Sequence, residues 1–218
     1  MKTIYAIVGD YYHAEKPIQT ALNLALEPLT EGGQYQLAYI SAQDLVQRLD
    51  EAPAAVILFK EDRLNPNDAD VKHWLTEEVS VAISRYVEGG GGLLAWHSGL
   101  ASYPPESALV QMLRGYFEFH PSKHQMVSYQ GTLPSDQSRE ISLDIMDEHY
   151  FVHCDEEHTT VFLRSHSVDG DSIGGWTHAY GSGKVVCLTP AHNIEGLLHE
   201  GMLALLRSSI QLLLLREK

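Results

Sequence analysis

Two periods of apolar spacing run through the chain. Residues 2–8 (KTIYAIV) are a short apolar run that stops at Gly9-Asp10, the mark of a buried first strand. Over residues 17–29, Ile18, Leu22, Leu26 and Leu29 recur at helical spacing, and Pro17 suits a first helical turn. Gly32-Gly33 closes that unit. Residues 35–40 then predict a second strand, 42–49 a short helix, and 54–59 (AAVILF) a third strand that is apolar on both faces. Strands of that kind belong to parallel sheets covered by helices on each side. A polar loop over 60–70 leads to a predicted helix over 76–87, and Gly89 to Gly92 break it before a strand at 93–96.

This alternation predicts an α/β fold: a doubly wound, mainly parallel sheet flanked by helices, of the flavodoxin-like type, with right-handed crossovers. After a helix near 107–113 the rhythm changes. Residues 125–129, 141–143, 161–165, 176–180 and 184–188 predict strands with only short connections, the last two joined as a hairpin across Gly181-Ser182-Gly183. These are added antiparallel strands in the C-terminal half, and a helix over 194–216 closes the chain. No internal repeat or linker divides the sequence, so residues 1–218 are expected to form one domain.

Composition narrows the classes. With 15 Lys and Arg against 29 Asp and Glu, the net charge of −14 repels a phosphate backbone, so no nucleic-acid partner is expected. No apolar stretch is long enough for a membrane span, and the N-terminus lacks the pattern of a signal peptide. Two cysteines make neither a disulfide framework nor a thiolate cage, which fits a reducing cytoplasm. Nothing in the chain predicts a nucleotide or flavin site.

Ligands of open α/β sheets bind outside the carboxyl ends of the strands. That rule selects Asp10, Tyr11, Tyr12 and His13 after the first strand, Lys60, Glu61 and Asp62 after the third, His97 after the fourth, and His192 after the last. The sharpest feature is Ala95-Trp96-His97-Ser98-Gly99, an apolar strand running into a small-residue turn and a predicted helix, the setting of a nucleophile elbow. The side chain presented there is His97, able to ligate a metal or to move protons near neutral pH. Ser98 points away from His97 in so tight a turn, which argues against a serine-hydrolase dyad. Asp147-Glu148-His149-Tyr150 offers a general acid, base or oxygen ligand, but the residues taken alone favour a solvated acidic turn. Cys187 lies in an apolar strand, Cys154 beside acids that raise its pKa, and His153, Asp155, Glu156 and His158 fit a surface cluster.

Four segments in order, Gly89 to Gly99, Phe117-x-x-His120-Pro121, Asp147-Glu148-x-Tyr150 and the run from Trp176 to His192, resemble the ThuA-like, or trehalose-utilisation, family of class I glutamine-amidotransferase-like fold. Histidine stands where an amidotransferase carries its elbow cysteine, so no glutaminase activity is expected. The resemblance implies utilisation of trehalose or related, 3-keto, disaccharides, with His97, His120, Glu148, Tyr150 and His192 at the cleft and His13 beside it. The sequence departs from longer members in its compactness, in Lys184, and in Pro190-Ala191 before His192.

Two functions of different class follow. One is an enzyme, a sugar isomerase, lyase or hydrolase, in which His97 or Glu148 acts catalytically and His97, His120 and His192 hold a divalent metal, zinc by preference. His13, Tyr103, Tyr150 and Trp176 would bind the small-molecule carbohydrate. The other is a non-catalytic sugar-binding or regulatory protein on the same fold. Helices flanking such a sheet also suit a homo-oligomer.

Overall fold

The computed structural model describes residues 1–215. In chain order it contains β1 (Lys2–Val8), α1 (Glu15–Thr30), β2 (Tyr35–Tyr39), α2 (Leu45–Leu49), β3 (Ala55–Phe59), α3 (Glu77–Glu88), β4 (Gly92–Trp96) and α4 (Ala108–Leu113). There follow β5 (Gly115–Phe119), β6 (Gln125–Leu133), β7 (Asp136–Asp147), β8 (Phe151–Cys154), β9 (Thr160–Ser167), β10 (Gly170–Tyr180), β11 (Gly183–Leu188), α5 (Ile194–Leu197) and α6 (Glu200–Leu214). Among the described residues, nine strands form one sheet in the order β2-β1-β3-β4-β11-β10-β9-β6-β7. The pairs from β2 through β11 are parallel. Those from β11 through β7 are antiparallel, and β5 and β8 form a separate antiparallel ribbon. The sheet is therefore mixed, parallel in its N-terminal half with antiparallel strands added by the C-terminal half.

The two halves differ because their strands bury different faces. β3 and β4 are buried at every position, and α1 and α6 cover one side with Ile18, Leu22, Leu26, Met202, Leu205 and Ile210. α3 and α4 cover the other with Ile83, Val87, Leu109 and Leu113. β6 and β7 instead bury alternate residues, as antiparallel strands with one solvated face do.

Several elements depart from the sequence reading. β5 and β8 were not predicted, since each is short and bears no clean alternation. β7 is 12 residues long, not the three apolar ones at 141–143, because its polar flanks pair with β6 on an open edge. The closing helix is broken into α5 and α6 by His199, whose ring accepts a hydrogen bond from the Gly201 amide as a helix cap. Its predicted end at Arg216 lies outside the described residues. The segment after His97 is a 3-10 turn, His97–Leu100, in place of the expected α-helix.

Candidate functional site

Parallel strands aim their carboxyl ends at one edge of the sheet, so loops far apart in sequence meet there. The chain after β1 delivers His13, the turn after β4 delivers His97, and the chain after β11 delivers His192. Glu148 arrives from the end of β7. One ligand atom from each of these four residues lies within 4.8 Å of the others.

His97 is held there by strain and packing. It sits in the left-handed region at φ 49°, uncommon outside glycine, on the turn that carries the chain off β4. Gly99 permits that turn. A Cβ at Gly99 would stand 2.0 Å from the Leu58 carbonyl oxygen. The His97 ring is fully buried and stacks on Tyr150 at 4.1 Å between centroids. Its Nδ1 lies 2.6 Å from the Thr189 carbonyl oxygen. A carbonyl only accepts, so Nδ1 carries the proton and Nε2 is left with its lone pair. Nε2 has no hydrogen-bond partner among the described residues, and Glu148 Oε2 lies 3.9 Å from it. Burial, with the neighbouring His13 and His192, pushes the imidazole pKa well down and keeps His97 neutral.

His13 is oriented in the same way. Its Nδ1 lies 2.6 Å from Asp10 Oδ1, which also accepts the amides of Tyr12 and His13, while Oδ2 accepts the Glu61 amide. Although burial works against it, the contact with His13 holds the Asp10 carboxyl far below the usual range. An ionised Asp10 fixes the proton on Nδ1, so Nε2 of His13 faces inward, 2.9 Å from His192 Nδ1. His192 is set by its own amide, which donates to Asp147 Oδ1 at 2.7 Å. Asp147 is fully buried, and that desolvation lifts its pKa to about 7.

Glu148 is the negative centre of this group. Its carboxylate lies 3.3 Å from His192 Nδ1, 3.5 Å from His124 Nε2 and 3.9 Å from His120 Nε2. Partial burial opposes its charge, but the surrounding imidazoles win and bring its pKa down to about 2. The same contact raises His192 against the effect of its burial.

Of the sequence-predicted residues, the structure brings together His13, His97, Glu148 and His192, with Tyr150 stacked beneath and His120 at the outer side of Glu148. It places His13 and Glu148 among the converging ligand atoms, where the sequence reading assigned substrate binding to one and catalysis to the other. His120, assigned to a metal, is not among those four atoms. Tyr103 and Trp176 are not in the cleft. Tyr103 packs on Trp74 and donates its hydroxyl to the Lys60 carbonyl, and Trp176 is fully buried with Nε1 bonded to the Leu113 carbonyl at 2.8 Å. Both satisfy their polar tips inside the core, as buried aromatics do. The segment from Asp147 to Tyr150 is no solvated turn, since Asp147, His149 and Tyr150 are all buried. His124 escaped notice, although it stands four residues after His120 in the same loop, a spacing that could have signalled it.

The donor set suits a divalent metal. It offers three imidazoles and one carboxylate, two of the rings have their far nitrogens pinned by acceptors, and one buried lone pair is unclaimed. Pinned rings also predict how the site fails. Asp10→Ala is expected to weaken binding of zinc by about 10–100-fold, because Asp10 orients His13 and holds the backbone amides of Tyr12, His13 and Glu61. Competition against a zinc chelator of known affinity checks this; unchanged affinity would show that His13 is not a ligand.

Fold and site together define an open α/β protein with a histidine–carboxylate cleft at the carboxyl edge of its parallel strands. Residues 10–212 match the sequence profile of the ThuA family, described as trehalose utilisation, and the chain belongs to that family. A search of the curated proteins found no match. Among solved structures, a ThuA-like protein from Parabacteroides merdae superposes with a TM-score of 0.70 at 13% identity, over 98% of this chain and 90% of that one. A cytoplasmic protein from Salmonella typhimurium superposes with a TM-score of 0.64 at 12% identity, over the full length of both chains. A β-galactosidase from Rahnella sp. shares the fold at a TM-score of 0.62 and 14% identity, over 97% of this chain but 31% of that one. Among the described residues no helix is long and apolar enough to cross a membrane.

Proposed function

We propose that this protein is an enzyme of sugar catabolism whose cleft binds a divalent metal, zinc by preference, through His13, His97, His192 and Glu148. It acts on a carbohydrate bearing a carbonyl, such as a 3-keto disaccharide. The observation that carries this reading is the buried, unpartnered Nε2 of His97, aimed at a carboxylate between two further imidazoles. Leaving such an atom unsatisfied costs roughly 1–3 kcal/mol unless a ligand meets it. The family's description as trehalose utilisation supports the substrate class.

When bound, a divalent ion supplies electrostatic stabilisation to negative charge developing on a substrate oxygen. The chain's own residues supply the rest. His120 and His124 are exposed and border Glu148 on its outer side. The Pro121 carbonyl accepts from His120 Nδ1, which leaves His120 Nε2 free to take the proton from the carbon beside a sugar carbonyl, whereas His124 Nδ1 accepts from the Asn193 side-chain amide. The electron pair of that C–H bond moves into the carbon–carbon bond next to the carbonyl, and either reprotonation or loss of a β-oxygen substituent completes isomerisation or elimination. Burial pushes the Tyr150 phenol well above its ordinary pKa, so it keeps its proton and serves as a donor. Glu148, with its pKa near 2, is too weak a base for the proton transfer and serves as a fixed charge.

The test is turnover of 3-keto-trehalose in deuterated water. Wild type is expected to exchange the proton α to the carbonyl or to cleave the glycoside, and His97→Ala to lose at least about 100-fold of that rate with its circular dichroism unchanged. Wild-type rates in His97→Ala would sink the proposal.

A further inference from the structure

A second concavity of about 790 Å³ lies on the antiparallel half of the sheet, within the size range of small-ligand sites. None of the four converging cleft residues lines it. Its floor follows from strand register. Ser128 of β6 pairs with His166 of β9, which pairs with Asp171 of β10; Gln130 pairs with Arg164, which pairs with Ile173. These two cross-strand rows share one face because strand side chains alternate. Intervening residues such as Tyr129 and Leu163 are buried in the core on the other face.

A polar row on an antiparallel sheet is ordinarily a solvated surface. Here the β5–β8 ribbon lines the same concavity through Glu118, Phe119, Phe151 and Val152, and its Val152 amide donates to Ser172 Oγ of β10 at 3.3 Å. The ribbon presents two phenyl rings, Phe119 and Phe151, stacked face to face at 4.7 Å and 1°. Phe151 is backed in turn by the buried His149 ring at 4.5 Å, and His149 is held by Ser165 and Ser167. The platform is thus rigid, yet Phe119 is 54% exposed. A large apolar ring fixed in the open at the lip of a polar groove has no role in packing the core.

We infer that this groove is a second carbohydrate-binding site, for a neutral oligosaccharide laid along the phenyl platform; the inference rests on the carbohydrate reading above. The chemistry of the lining selects that ligand class. A phenyl face receives the C–H-rich face of a pyranose ring, and amide, hydroxyl and carboxylate groups across from it meet the sugar hydroxyls. Arg164 and His166 are already committed, Arg164 to Glu156 at 2.7 Å and His166 to Asp171 at 2.6 Å. With Glu118 also lining the groove and a chain charge of −14, an anionic ligand is disfavoured. Among the described residues the floor strands β6, β9 and β10 are each paired on both sides, so the floor leaves no free edge for strand addition by a peptide.

The test is saturation-transfer NMR with maltotriose, cellotriose and, as a cationic control, spermidine, on wild type, Phe119→Ala and His192→Ala. The expected result is saturable binding of at least one trisaccharide to wild type and to His192→Ala, weakened at least about 10-fold in Phe119→Ala, whose exposed ring can be removed without opening the core. Binding lost in His192→Ala but intact in Phe119→Ala would place the sugar in the histidine cleft and overturn the groove site, leaving the proposed function standing. Binding of spermidine alone, or of no probe, would also overturn it. Phe119-dependent binding by a protein that turns over no keto-sugar would sink the proposed function and leave the groove site intact.

Discussion

Glu148→Gln is expected to remove bound divalent metal and to lower keto-sugar turnover by at least about 100-fold, with little change in thermal stability. The substitution keeps the shape of the side chain and removes its charge. Glu148 is the one carboxylate among the four converging ligand atoms, and His97, His120, His124 and His192 all lie within 3.9 Å of it. Losing a residue that merely orients a metal-bound histidine costs about 10–100-fold in affinity, so losing a charged ligand costs at least as much. Stability responds little because the carboxylate lies at the cleft and contributes to neither hydrophobic cluster. Zinc titration and a melting curve on the same preparation check both halves. Retained zinc affinity in Glu148→Gln would show that the imidazoles gather around the carboxylate for structural reasons alone.

Gly99→Ala should be the most damaging single methyl group in the chain near the cleft. The added Cβ would stand 2.0 Å from the Leu58 carbonyl oxygen and 2.9 Å from its carbonyl carbon, both backbone atoms of a central strand. Neither can move without disturbing β3, which pairs with β1 and β4. A backbone clash of this kind belongs to the rare class of substitutions that cost about 4 kcal/mol or more, equivalent to a drop of roughly 8–16 °C in melting temperature for a chain of this size. Gly32→Ala is the matched control: no atom lies within 4 Å of its added Cβ, and its stability should change by less than about 0.5 kcal/mol. Calorimetry of the two variants checks the contrast. Equal melting temperatures would mean that the turn after β4 is not as tightly seated as described.

These expectations also mark what could be read from the sequence. The parallel half was legible because its strands are continuous apolar runs, AAVILF at 54–59 for example, bounded by glycine and polar loops. Strand ends then located His13, His97 and His192, since a sheet of this kind sends every carboxyl end to one edge. Glu148 was harder. It follows a strand at the far end of the sheet, and only the resemblance placed it in the cleft; its acidic surroundings taken alone favoured an exposed turn. Asp147 shows why, since its burial depends on His192 approaching from 45 residues away to donate to it. Trp176 and Tyr103 illustrate the opposite failure: an aromatic near a strand end looks the same in sequence whether it lines a cleft or fills a core. The β5–β8 ribbon was invisible because its two short strands pair with each other across more than 30 residues, and each buries too little to leave a period.

The most direct test of the account is the metal content of untagged protein, dialysed against zinc and then buffer and measured by elemental mass spectrometry, for wild type and His97→Ala. About one zinc ion per wild-type chain and a nearly empty His97→Ala are expected, because a single site draws on the buried Nε2 of His97. Wild type that holds no zinc, or His97→Ala that holds as much as wild type, would contradict it.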